Sequence, residues 1–253
     1  MGSRAVVVCF ALFACCGKSS REPQPQPQLV DPSVANAPKS DPTLHRVFRP
    51  TFIVDGQPSS AGSAFVIKTE DRLFLMTAHH LFGPAGGLEK DLSWQEMPKR
   101  VSSVEAASID DETVKIVGTA PLAIEGAVGV SENRYGGDFA IFPMKDAGAA
   151  RVLALANAAP KVGDRVALLA EVQDSTAKRH EATVIEVGAD YLAYKFDTKK
   201  IELRATSGAP VVDANERVVA VNASGGEMDG SVVGLGTSIA AFGPAIQRAL
   251  QTK

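Results

Sequence analysis

The sequence predicts an all-β protein, and three observations carry that reading. From about residue 46 onward, apolar residues recur in short runs with strand periodicity, bounded by clusters of Gly, Asp, Asn and Lys. Several neighbouring runs are separated by only a few polar residues, the spacing of hairpins. A helical pattern is clear only near the C-terminus. Many short strands with turns between them indicate a sandwich or a barrel, not strands alternating with helices.

Taken in order, residues 63–67 (SAFVI) and 72–76 (RLFLM) flank the polar turn 68–71 and read as a hairpin. Residues 88–97 hold a helical turn or two. A short strand is expected over 138–142 (DFAIF). The segment 147–161 is rich in Ala and poor in strand formers, so it links two halves of similar length, about 44–146 and 160–253. Residues 162–169 enter a strand through a turn. A hairpin follows over 183–187 and 191–196, and another over 210–212 and 218–221. Pro244 is expected in the first turn of a C-terminal helix over 244–250 with one apolar face.

Composition excludes some functions. Apolar residues make up 45% and charged residues 22% of the chain, ordinary proportions for a folded domain. A net charge of −3 gives no basic footprint for nucleic acid, and aromatics at 6% leave few platforms for stacking bases. No nucleic-acid partner is expected.

All three cysteines (Cys9, Cys15 and Cys16) fall in the first sixteen residues. There, one Arg precedes an apolar run over 5–14, the pattern of a secretory signal. The run is well short of the roughly 20 residues a membrane-spanning helix needs. Residues 12–15 (LFAC) resemble a bacterial lipobox, which implies residues 1–15 as signal and Cys15 as the lipid-bearing residue, with Cys16 the alternative. Within residues 16–43, positions 23–28 alternate Pro with Gln and Pro32, Pro38 and Pro42 follow, so the segment reads as an extended tether without a core, followed by one domain over 44–253. The protein is therefore expected in the bacterial envelope, anchored in a lipid bilayer.

Metal-binding spacings such as Cys-x-x-Cys and His-Glu-x-x-His are absent, as is a phosphate-cradling Gly-x-x-x-x-Gly-Lys, so no metal and no cofactor are expected. The adjacent pair His79-His80, read as part of a strand, projects in divergent directions. Residues 205–210 (ATSGAP) put Ser207 among small residues ahead of a strand. There its hydroxyl is exposed and nearby N–H groups are free to meet a developing oxyanion. The same residues also make a good turn.

Residues 62–67 (GSAFVI) with 75–80 (LMTAHH) resemble the first catalytic hairpin of trypsin/chymotrypsin-like serine proteases, whose Thr-Ala-x-His tetrad carries the general base. Residues 137–141 (GDFAI) are similar to the strand bearing the orienting Asp, and 205–210 to the nucleophile motif. The order His, Asp, Ser is that of chymotrypsin. The resemblance covers about residues 46–250. It implies a two-barrel fold with a short C-terminal helix and a serine endopeptidase acting on protein or peptide substrates. Ser207 would attack, His80 take its proton and Asp138 fix the imidazole.

His79 is a rival for the base, and Asp110, Asp111 and Glu132 are rivals for the acid. Two departures from the family pattern stand out. Ala205 occupies the place of a Gly whose N–H, with that of Ser207, forms the oxyanion hole, and a side chain there disfavours the required backbone. Thr206 stands where the vertebrate enzymes carry an Asp that pairs with a freed N-terminus, so activation by that ion pair is not expected. By the same resemblance Ile201 lies near the base of the specificity pocket, which implies small or apolar side chains at the cleavage position. The alternative is a protease-fold binding or scaffold lipoprotein that has lost efficient turnover.

Overall fold

A computed structural model describes residues 44–131, 134–173 and 175–251. The expected signal, Cys15, the tether and Glu132 lie outside the described residues.

Strand β1 (Phe48–Val54) alternates buried and half-buried residues, the signature of a strand with one face on a core. It pairs with β2 (Gln57–Ser60) on one side and β5 (Val101–Ser108) on the other, and β6 (Lys115–Gly118) lies beyond β5. β3 (Phe65–Thr69) and β4 (Arg72–Thr77) form the expected hairpin, with Thr69 opposite Arg72. β7 (Ala140–Met144) joins β4 to β6, and the short β8 (Val152–Leu153) runs parallel to β3. The resulting order is β2-β1-β5-β6-β7-β4-β3-β8. Reciprocal backbone hydrogen bonds between Phe48 and Ala64, both 2.9 Å, bring β1 back to the start of β3, so the sheet curls round on itself. Its core centres on Phe52, which meets Phe82 edge-on at 4.6 Å and stacks on Phe142 at 5.7 Å.

The second half is a closed six-stranded barrel: β9 (Arg165–Leu169), β10 (Arg179–Val187), β11 (Tyr191–Phe196), β12 (Pro210–Asp213), β13 (Val218–Met228) and β14 (Ser231–Ser238). Its order is β10-β11-β14-β13-β12-β9, closed by β9 on β10. The barrel core includes Leu168, Val184, Tyr194, Val211 and Ala220. Another apolar cluster, with Phe65, Phe74, Val212 and Val218, draws on both sheets and on α2 (Ile239–Gln251).

Several expectations need correction. α2 begins five residues before Pro244, which lies inside the helix rather than in its first turn. Proline removes one intrahelical bond there, and burial of Ile239 and Ile246 on the cluster between the sheets outweighs that loss. Over 88–97 no regular helix forms, and the single turn α1 (Met97–Arg100) begins only at Met97. The strand expected over 138–142 starts at Ala140, leaving Asp138 just ahead of it. His79 and His80 open a short 3₁₀ turn (His79–Phe82) after β4 and are not on a strand. Strands β1, β2, β5 and β6 have no counterpart in the sequence reading, because their half-exposed faces dilute the apolar alternation.

Candidate active site

The 3₁₀ turn after β4 separates the two histidines as the sequence suggests, by a different local geometry. His79 is 2% exposed, and its Nε2–H donates to the Leu92 carbonyl at 2.7 Å. Burial pushes its pKa below the usual histidine range, which the Leu92 carbonyl and the charges of Asp138 and Asp91 only partly oppose. His80 faces the other way. Its Nδ1–H donates to Asp138 Oδ2 at 2.5 Å, and its backbone N–H donates to Oδ1 at 2.7 Å. Asp138 is fully buried, and a buried carboxylate is tolerable only when paired and hydrogen-bonded. Both its oxygens serve His80. Among the described residues the ring Nε2 of His80 has no partner.

Asp138 itself is set by its backbone, whose N–H donates to Thr237 Oγ1 of β14 at 3.2 Å. The rival acids are elsewhere: Asp110 lies 4.0 Å from His45, and Asp111 caps the turn at Thr113.

Ser207 precedes β12 on a loop pressed against the first sheet. Its carbonyl accepts from the Ser63 N–H at 2.7 Å. A side chain on Gly208 (φ +85°) would approach the Ser63 carbonyl to 2.2 Å and the Ala78 nitrogen to 2.9 Å, so the loop sits directly over the residues before His80 and tolerates only glycine there. The Ser207 hydroxyl points to the Ala223 carbonyl at 3.4 Å.

Ala205 adopts φ +62°, the left-handed conformation that glycine takes freely and alanine resists. The turn is closed by the Thr206 N–H on the Leu203 carbonyl at 3.2 Å. The N–H groups of Ala205 and Ser207 have no hydrogen-bond partner among the described residues. Two free donors beside a serine hydroxyl are what a developing oxyanion requires.

Thr206 is buried in a neutral network. Its hydroxyl donates to the Leu203 carbonyl at 2.6 Å, Asn222 Nδ2 donates to its carbonyl and hydroxyl at 3.1 and 3.0 Å, and the Tyr194 hydroxyl donates to Asn222 Oδ1 at 2.5 Å. Burial pushes the Tyr194 phenol up, so it stays a donor. Sequence reasoning missed Asn222 and Tyr194; a lone Asn within the apolar run of β13 was the available signal.

A groove of about 1290 Å³ opens beside Ser207, lined in part by Ile201, Leu203, Ala205, Ala223 and Gly225. Leu203 reaches so close to Gly225 that a Cβ there would lie 2.4 Å from its Cδ1, which sets an apolar side chain against the β13 backbone in the groove. Among the described residues no group of acids, histidines or cysteines is placed to hold a metal ion.

A family model of the trypsin-like peptidase domain matches residues 62–221. No curated protein matches the chain. Among solved structures, the active form of a protease from M. tuberculosis is similar at 19% identity, with a TM-score of 0.52 over 93% of this chain and 94% of that one. An inactivated protease paralogue of the scabies mite is similar at 14% identity and TM-score 0.55, covering 82% of this chain and 94% of that one. A serine endoprotease from Yersinia pestis matches at 15% identity and TM-score 0.51 over 83% of this chain and 64% of that one. At these identities the likeness concerns the fold.

Proposed function

The chain belongs to the trypsin-like peptidase family, and from that premise we propose that it is a serine endopeptidase working through an acyl-enzyme on Ser207. The observation that carries the reading is the buried His80–Asp138 pair, which commits Nδ1 and leaves Nε2 as the free base. Ser207 Oγ attacks the scissile carbonyl carbon while its proton passes to His80 Nε2. The oxygen that gains charge accepts hydrogen bonds from the Ala205 and Ser207 N–H groups. Collapse releases the amine, which takes the proton from His80, and water then cleaves the acyl ester by the same route. Asp138 holds the tautomer and steadies the imidazolium.

One observation favours the second reading, a protease-fold binding protein: the Ser207 hydroxyl is turned to Ala223 instead of His80. The two readings differ in whether that hydroxyl is activated by His80. Labelling the full-length protein with a fluorophosphonate decides between them. Stoichiometric labelling, lost in Ser207→Ala and His80→Ala, is expected; no labelling of folded wild type would refute the endopeptidase and leave the binding protein standing. The Leu203 side chain packed on Gly225 in the groove supports small or apolar side chains at the cleavage position, so blocked alanine p-nitroanilides should react faster than arginine ones, and the reverse order would refute that preference.

The lipobox-like residues 12–15 support export and anchoring through Cys15 at the bacterial envelope. Cys15→Ser should release the protein from the membrane fraction; retention there would rule out this anchor.

A further inference from the structure

Ala205 raises a physical question: an alanine held at φ +62° needs something to hold it. Its carbonyl accepts two hydrogen bonds from the first sheet, one from Arg49 Nη1 at 2.5 Å and one from Ser63 Oγ at 2.9 Å. Arg49, on β1, is itself fixed. The same Nη1 also reaches the Gly62 carbonyl at 3.1 Å and Ser63 Oγ at 3.0 Å, and Nη2 reaches the carbonyl and carboxylate of Glu171, both at 3.3 Å. Glu171 is in turn paired with Lys178 at 2.9 Å. One planar guanidinium thus ties β1, the Gly62–Ser63 corner and the 171 loop to the residue before Thr206. Such fixed, multi-donor geometry is particular to Arg.

We propose that Arg49 is a positioning residue for the oxyanion site. It pins the Ala205 carbonyl, and so keeps Ala205 left-handed with its N–H free beside that of Ser207. The proposal rests on the endopeptidase reading and deepens it. With the carbonyl released, both peptides flanking Ala205 can turn, and the residue returns to the negative φ that an L side chain prefers. That movement carries its N–H away from the developing oxyanion. Arg49 touches no reacting atom; it acts through the Ala205 backbone. A glycine at 205 has no such preference, so the same loop built with Gly depends far less on Arg49.

The test is fluorophosphonate inactivation of the full-length protein, separating the limiting rate from the half-saturating concentration. Failure of wild type to label refutes the endopeptidase reading itself and is thereby distinguished from failure of this proposal. In a labelling wild type, Arg49→Met should lower the limiting rate at least about tenfold, with the 10²–10³ that one oxyanion donor is worth as the upper bound. The half-saturating concentration should hardly move. In an Ala205→Gly background the same substitution should cost no more than about threefold, because the left-handed conformation is then unopposed. Equal losses in the two backgrounds, or an undiminished rate in folded Arg49→Met, overturn the proposal. If Arg49→Met does not fold, Arg49→Lys keeps the charge but not the fork, and the same contrast between backgrounds is read from it. Glu171→Gln, which leaves the donors to Ala205 in place, should retain most of the wild-type rate, and a loss as large as that of Arg49→Met would also count against it.

Discussion

Asp138 and Ser207 both sit just ahead of a strand, β7 and β12 respectively, yet they are held by different physics. Asp138 is a buried charge satisfied by two bonds to a single partner, at 2.5 and 2.7 Å, and its geometry is set by electrostatics. The Ser207 loop is held mainly by backbone shape, with a left-handed Ala205 before it, a left-handed Gly208 after it and neutral hydrogen bonds around Thr206, and Arg49 is its one charged donor, at the Ala205 carbonyl. The first arrangement is stiff, since any displacement strands a charge away from water. In the second the backbone is held but the hydroxyl makes only a long bond, 3.4 Å to the Ala223 carbonyl. The His80–Asp138 side of the candidate site is therefore fixed at its side chains, while on the Ser207 side the hydroxyl is the loosely held part.

The sharpest way to break that contrast is Asp138→Asn. The amide keeps the shape and removes the charge, so His80 loses its preferred tautomer, and the labelling rate should fall by about 10⁴. Thermal unfolding measured alongside should show a folded protein. A loss below about tenfold would show that Asp138 does not orient His80, and the stiff arm would then be structural only.

A smaller effect is expected on the other side. Thr206→Val conserves shape but takes from the Leu203 carbonyl the shorter of its two hydrogen bonds and leaves one Asn222 N–H without a partner in a buried site. That should cost about 1–3 kcal/mol of stability in urea titrations, as buried unsatisfied groups do. The labelling rate should fall with it, because the same bonds shape the turn beneath Ala205. Unchanged stability would mean that water or a neighbour replaces the hydroxyl, and that the network does not hold the loop.

The same contrast explains what was legible in the sequence. His80, Asp138 and Ser207 stand in short motifs beside apolar runs, and the hairpins of β3–β4, β10–β11 and β12–β13 followed from alternation and turn residues. Those features are local. The groups that hold the Ser207 loop are not: Arg49 lies 156 positions from Ala205, and Asn222 meets Thr206 only after the barrel closes. The half-exposed strands β1 and β5 were hidden for a related reason, since what makes them strands is the sheet on either side of them. Proline misled at α2 because burial of the preceding turn, a tertiary effect, outweighed a local preference.

His79 gives the smallest test of the stiff arm, and it works through pH. Burial lowers its pKa in the folded protein, so the native state binds its proton less readily than the unfolded chain does. Above the ordinary histidine pKa, about 6.5, both states are neutral and its contribution to stability is complete. As pH falls below that value the unfolded chain takes up a proton that the native protein refuses, and stability is lost until the lowered native pKa is passed. The maximum slope for one such group is about 1.4 kcal/mol per pH unit. His79→Gln retains a donor for the Leu92 carbonyl without a titrating ring, so its urea stability should fall less between pH 7 and 5 than that of wild type. Because His180, whose pKa burial also lowers, titrates in both proteins, the difference between the two curves isolates His79. Parallel curves would mean that His79 is protonated as easily in the fold as out of it. The wall behind His80 would then be wet, contrary to the stiffness assigned to that side.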